Sequence, residues 1–310
     1  MSRSSSSTGT SRETSPMEGL LEAPIHRFTG IRNLQKDVRS QSAELQAGRS
    51  NQQYLIFRGV TKRHLAEIDR KRASIGKHTR MTHHTNTDLL IVKLMPSAKH
   101  EAAHLTLADD LNHKLEGMGI PKRSLFPLGG TRFSGSSSSK EGDAANKPRS
   151  RSQETDWPTI VFESGLSETL ARLRHDAGWW LANSEGSVKI VIIISITPEE
   201  KRLQVEKWCL SQATTQRPTT RAHPNPSPLV PTRMQEITIT QNPTSTTNST
   251  AQPGTTIQQS TATSCTVAGA PLILEFEKLL LRAPVPPEDN VILTATDLSD
   301  WANDFWSILR

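Results

Sequence analysis

Two cysteines in 310 residues, Cys209 and Cys265, are too few for a disulfide framework or a cysteine-based zinc site. Aromatic side chains make up 5% of the chain and hydrophobic ones 34%. Both are low for a chain folded throughout, so part of the length is expected to carry no core. The longest apolar run, IVIIISI at 190–196, is far shorter than the ~20 residues a helix needs to span a bilayer. The amino-terminal MSRSSSSTGTSRETSPMEG holds no apolar stretch of the kind a secretory signal uses. The expectation is an intracellular protein, nuclear or cytoplasmic, with no membrane partner.

Charge is what the chain has instead. Thirty-seven Lys and Arg against 31 Asp and Glu leave a net +6 and a pI near 9.5. That balance favours polyanionic partners, nucleic acid among them, without requiring one.

Along the chain, residues 1–50 are rich in Ser, Arg and Gln and are expected to be a disordered arm. Residues 51–84 form a basic, partly helical segment. In RGVTKRHLAEIDRKRASIGKHTR, Val60, His64 or Leu65, and Ile68 recur at helical spacing. Lys62, Arg63, Arg70, Lys71 and Arg72 are candidates for phosphate contacts, and a solvated helix face accounts for them equally well. A core is expected over 85–210. It opens with a buried strand in TDLLIVKLM, followed by a helix from Pro96 and Ser97 to about Gly117. Further strands are read in WPTIVFESG, VKIVIIISI and KRLQVEKWCL, with a helix from Ser167 to about Ala182 between the first two. Residues 211–268 read as a Pro-, Thr- and Ser-rich linker with an edge strand in MQEITIT. Residues 269–310 return to pack on the core through Leu298, Trp301, Phe305 and Ile308.

His100-Glu101-Ala102-Ala103-His104 matches the H-E-x-x-H zinc-protease pattern. Two His at i and i+4 share a helix face, but a catalytic zinc needs a third protein ligand, and no later His or Glu falls at the required spacing. His104 continues into Leu107, Leu111 and Leu115, as a histidine packed on a sheet does. A protease is therefore the weakest functional reading.

A second pattern is KEGDAANKP followed by WPTIVFESGLSETLARLRHDAGWW. Asp143 precedes a strand that carries Glu163, and about twenty residues separate them, enough for neighbouring strands joined by a loop. Alternation puts Ile160 and Phe162 on one face, Val161 and Glu163 on the other. Two converging carboxylates make a hard-oxygen site suited to Mg²⁺. A turn aspartate and a solvated strand-terminal glutamate are the bland alternative. Trp179 and Trp180 are candidates for base stacking or for the core.

The order of elements resembles the PD-(D/E)XK, restriction-endonuclease-like superfamily, a mixed α/β sheet flanked by helices. The stretches LLIVKLMPSAKHEAAH, LFPLGGTRFSG, KEGDAANKP, WPTIVFESGLSETLARLRHDAGWWL, VKIVIIISI and LILEFEKLLLR also resemble a group of uncharacterised fungal proteins, over roughly residues 85–305. The resemblance implies Asp143 and Glu163 as Mg²⁺ ligands and Glu101 as an accessory acid. It also implies a lysine two positions after Glu163, where this chain has Gly165. Arg174, Lys189 and Lys147 are the substitutes the sequence offers. The implied function is Mg²⁺-dependent phosphodiester hydrolysis on DNA, intact or degenerate. The alternative is a non-catalytic nucleic-acid or protein interaction module on the same fold.

Overall fold

The computed structural model describes residues 15–76, 78–95, 98–166, 169–213, 228–242 and 264–307, apart from the side chains of 98–100. The expected disordered arm is structured in its described part. β1 (Ile25–Arg27) and the sixteen-residue α1 (Ile31–Gln46) occupy it. Polar composition hid this helix: it buries only Leu34 and Val38, a stripe too narrow to stand out among Ser, Gln and Arg.

β1 opens a six-stranded sheet. β2 (Tyr54–Arg58), β3 (Thr79–His84), β4 (Leu89–Leu94), β6 (Arg132–Ser134) and β7 (Ser138–Glu141) complete it, in the order β1-β2-β4-β3-β7-β6. α2 (Lys62–Arg70) begins at a capping box in which Thr61 and His64 satisfy each other's backbone. The short α3 (Arg72–Ile75) follows it. Helices α1 to α3 cover one face of this sheet, where Leu55, Phe57, Leu90, Val92 and Leu94 meet Leu34 and Ile68. The boundary expected at residue 85 therefore falls inside a sheet. TDLLIVKLM does form a buried strand, but it pairs with β2 and β3 rather than with the strands that follow.

The second sheet has seven strands in the order β13-β12-β11-β10-β9-β8-β5. Its members are β5 (Leu125–Pro127), β8 (Ala144–Pro148), β9 (Ile160–Leu166), β10 (Ile190–Thr197), β11 (Arg202–Gln212), β12 (Leu229–Gln241) and β13 (Cys265–Ala268). β5, β8 and β9 run as an antiparallel meander, and β10 lies parallel to β9 after the crossover helix α5 (Leu170–Asn183). β10 is buried along its whole length, as an apolar run on both faces requires. β13 pairs with only the last four residues of β12, 238–241, so the rest of β12 has no strand partner on that side among the described residues. The linker residues 214–227 and 243–263 lie outside the described residues, as do Pro96, Ser97, Ser167, Glu168 and Ile308.

α4 (Ala98–Gly117), α6 (Phe276–Leu280), α7 (Ala295–Ser307) and the hairpin β14 (Leu272–Leu274)–β15 (Val291–Leu293) pack on the outer face of the seven-stranded sheet. Leu107, Leu111, Leu115, Leu298, Trp301 and Phe305 share that core. α5 lies between the two sheets, with Leu173, Ala177 and Trp180 against Val161, Val191 and Ile193. Among the described residues no helix is long and apolar enough to cross a membrane.

Candidate active site

Six buried charged side chains meet where α5 and the two sheets touch. Lys93 on β4 and Lys140 on β7 come from the six-stranded sheet, and Arg172 and Asp176 from α5. Asp143, just before β8, and Glu163 on β9 come from the seven-stranded sheet. Each side chain is at most 5% exposed. Three cations and three carboxylates are a balance that burial demands, because an unpaired buried ion costs several kcal/mol.

Alternation on each strand aims them at one another. Leu90, Val92 and Leu94 face the α1–α3 core, so Lys93 points the other way, beside Ile91 and opposite Tyr54 of β2. Its Nζ lies 2.6 Å from Asp143 Oδ2 and 3.3 Å from Glu163 Oε2. The Ser164 amide donates to Asp143 Oδ2 at 2.7 Å. Glu163 Oε1 accepts from the Trp180 indole at 2.8 Å and lies 3.4 Å from Lys140 Nζ. Lys140 and Arg172 then hold Asp176, at 3.0 and 3.1 Å. Asp176 is held by charge rather than by aligned hydrogen bonds, since neither of its oxygens meets hydrogen-bond geometry.

These contacts set the protonation states. Burial pushes the Asp143 carboxyl up, but Lys93, His104 and the Ser164 amide outweigh it and leave it well below the usual carboxylate range. Burial disfavours the Lys93 ammonium, and Asp143, Tyr54 and Glu163 more than restore it, so its pKa stands above that of an ordinary lysine. Glu163 is raised: burial dominates, and Lys140 and Lys93 pull against it. His104 is lowered, chiefly by burial. Its Nδ1 lies 3.0 Å from Ser164 Oγ, whose hydroxyl donates toward Asp143 Oδ2 at 3.4 Å. With its hydroxyl donating to Asp143, Ser164 would accept from His104 Nδ1–H and leave Nε2 as the acceptor nitrogen.

A cleft of about 260 Å³ leads from the surface to Asp143 between α4 and the β5–β8 pair, lined by Arg80, Glu101, His104, Asp109 and Asn112. Arg80 Nε donates to the Gly142 carbonyl at 2.9 Å and so fixes the turn that presents Asp143. Asp143 Oδ1 is buried and has no hydrogen-bond partner. An orphaned carboxylate oxygen beside a second carboxylate is the donor chemistry that a hard divalent cation takes. Asp143 and Glu163 are the residues to hold one. Among the described residues no group of three or more His, Cys, Asp or Glu that could hold a metal ion is present.

No family model matches the chain, and no curated protein matches it. It is similar to a solved structure from Anabaena variabilis ATCC 29413, described as a candidate nuclease of DUF820. The TM-score is 0.35 at 15% identity, over 72% of this chain and 90% of that one. Sequences this far apart do not pass residue roles from one to the other, so the roles of Asp143, Glu163 and Lys93 rest on their own geometry.

The fold brings Asp143 and Glu163 together and sets Glu101 on the same cleft, where it pairs with His78 at 3.3 Å. Glu163 is not at a strand end as expected. β9 continues to Leu166 against β10, its ladder with β8 ending one residue earlier at Phe162, and Glu163 is fully buried. The three substitutes for the missing lysine lie elsewhere. Lys189 precedes β10, whose Ile193 is the neighbour of Glu163, so it sits about 13 Å down the sheet. Lys147 is at the far end of β8 from Asp143, and Arg174 pairs with Glu206. Of the basic segment, Lys62, Arg63, Arg70 and Lys71 are exposed, while Arg72 is committed to Glu141 and Thr79. Trp179 and Trp180 are both core, each spending its indole N–H inside the protein. His104 is buried on the sheet, and the His100 side chain lies outside the described residues.

Sequence reasoning missed Lys93 and Lys140. A signal existed for the first: one lysine inside the continuous apolar run LLIVKLM must be paired if the strand is buried. Lys140 ends SSSSK, a stretch with no apolar alternation to mark a strand, and folds in the buried strand β7.

Proposed function

We propose that this chain is a nuclease-like, metal-dependent phosphodiesterase whose reaction centre is Asp143, Glu163 and Lys93. The observation that carries it is the convergence of both carboxylates on one lysine ammonium, with Asp143 also among the residues that line the α4 cleft. The helix, three-strand meander, helix and parallel strand formed by α4, β5, β8, β9, α5 and β10 support the PD-(D/E)XK-like reading. DNA is the substrate this reading carries, with Mg²⁺ as the hypothetical cofactor. A divalent cation held by Asp143 and Glu163 supplies charge neutralisation and an acidified water.

The chain's own residues do the rest. Lys93, kept as an ammonium, offsets negative charge gathering on a phosphoryl oxygen and cannot itself take the proton. Proton acceptance falls to His104, neutral and oriented through Ser164. Glu101 and Arg80 line the approach, Arg80 opposing the repulsion between phosphate and the acids. One observation favours a second reading, a non-catalytic nucleic-acid or protein interaction module: Lys93 already neutralises both carboxylates as an internal cation.

Mg²⁺ and Mn²⁺ titration with oligonucleotide cleavage separates the two. The nuclease reading expects metal binding and cleavage, with cleavage falling at least a hundredfold in Asp143→Asn and Glu163→Gln. Undiminished cleavage in both variants moves the site elsewhere, and a metal-free, inactive wild type assigns the fold to binding.

A further inference from the structure

A second concavity flanks the same edge of the seven-stranded sheet. It measures about 370 Å³, within the range of small-ligand sites, and is lined by Phe126, Leu128, Lys147, Arg149, Arg151 and Glu154 among others. Three cations there face one carboxylate. Lys147 and Phe126 are direct cross-strand neighbours on β8 and the edge strand β5. The Phe126 ring is 49% exposed, one of few large apolar side chains left in solvent, while Leu128 packs back on the inner core.

The cations are not there to neutralise acids. Among the described residues none of Lys147, Arg149 and Arg151 forms an ion pair; all three donate to backbone carbonyls. Lys147 is 8% exposed and donates to Gln153. Arg149 Nε donates to Arg123 at 3.1 Å and leaves the rest of its guanidinium in solvent. Arg151 spans the carbonyls of Trp157, Pro158 and Ser187 at 2.6 to 3.0 Å. These bonds tie down the β8–β9 loop, so three cations stand against Glu154 and, at longer range from Arg151, Asp156, with their carriers already positioned. Pre-organisation of this kind lowers the ordering cost of binding an anion.

We infer that this pocket binds one nucleotide unit of a single-stranded nucleic acid, the base against Phe126 and the phosphate against Arg149 and Lys147. A flat apolar ring beside fixed cations is the combination by which proteins hold single strands irrespective of sequence. Lys147 lies four residues from Asp143 on the same face of one strand, about 13 Å, or roughly four stacked nucleotides. A strand seated here thus reaches the α4 cleft around β5. The inference rests on the nuclease reading only for that continuation; the pocket's chemistry stands without it.

The test is fluorescence anisotropy of a labelled twelve-residue oligothymidylate in EDTA, where no metal-dependent cleavage occurs. Phe126→Ala and Arg149→Ala should each weaken binding about tenfold. Arg149→Ala should also reduce the slope of log K against log salt by about 0.7, while Arg39→Ala at an exposed position on α1 leaves affinity within twofold. Thymidine monophosphate should compete at lower concentration than inorganic phosphate. Wild type that does not bind, variants that bind as tightly as wild type, or an equal loss with Arg39→Ala would overturn the proposal. Binding that depends on Phe126 in a protein that never cleaves would sink the nuclease reading and leave the pocket standing. Cleavage with pocket variants unaffected in affinity would do the reverse.

Discussion

Lys93 concentrates the energetics of the molecule in one side chain. It is 5% exposed and is the cation nearest to both Asp143 and Glu163. Breaking a buried pair from one side leaves an uncompensated charge, at about 3–5 kcal/mol. Lys93→Met should therefore destabilise the fold by that amount in urea titration, and adding Asp143→Asn should recover part of it. A loss under 1 kcal/mol would mean that water reaches the carboxylates and that they are not held as described. Gly165 shares a face with Glu163, and a Cβ built there would meet Thr169 Oγ1 at 2.5 Å, where Thr169 already donates to the Leu166 carbonyl at 2.6 Å. A lysine two places after Glu163 has no room, and the ammonium arrives from the other sheet instead.

At the scale of elements, β9 is the part that tolerates least. Its alternate residues serve two cores and the ionic cluster, and the backbone of Leu166 is held by Gln53 Oε1 at 3.0 Å across from the six-stranded sheet. Gly165→Ala should cost about 1–3 kcal/mol through the clash with Thr169, read as a lower denaturation midpoint. Pairing it with Thr169→Ala should return most of that loss; if the double variant is no more stable than the single one, strain at Thr169 is not the cause. α4 was easy to read as a helix and hard to read as a site. Leu107, Leu111 and Leu115 announce its buried stripe, whereas the service of Glu101 and His104 to a cleft depends on what lies opposite. α1 is the converse case, a helix whose two buried residues, Leu34 and Val38, fall below what composition reveals.

At the scale of the whole molecule, the ionic cluster is the joint between the sheets, and acid should loosen it. Burial raises Asp176, but Arg172 and Lys140 bring it down to about 2. Asp143 is likewise held below the usual range. A carboxyl whose folded pKa is depressed stabilises the fold fully above its unfolded value, near 3.9, and loses that contribution as pH falls through the folded value. Glu163 has the opposite sign: its raised pKa penalises the ionised folded state, so acid relieves part of the loss. The net expectation is a loss of stability as pH falls from about 4 toward 2. For Asp176 the shift amounts to about 2 kcal/mol. Asp176→Asn should be less stable at pH 7 and flatter across that window; a slope parallel to wild type would remove Asp176 from the joint.

The sequence by itself determined the local periodicities: the apolar runs of β4 and β10, the leucine stripe of α4, the alternation that separates Phe162 from Glu163, and the candidacy of Asp143 and Glu163. These follow from residue spacing and from the geometry of one helix or strand, so no distant partner is needed to see them. Only the tertiary structure decided which sheet β4 joins, that SSSSK folds as a buried strand, and that Lys93 and Lys140 supply the cations that Lys189, Lys147 and Arg174 do not. The physical reason is burial. A lysine buried as deeply as Lys93 is carried inside by opposite charge, and its partners here lie 50 and 70 residues away in sequence, at a distance that no local pattern encodes.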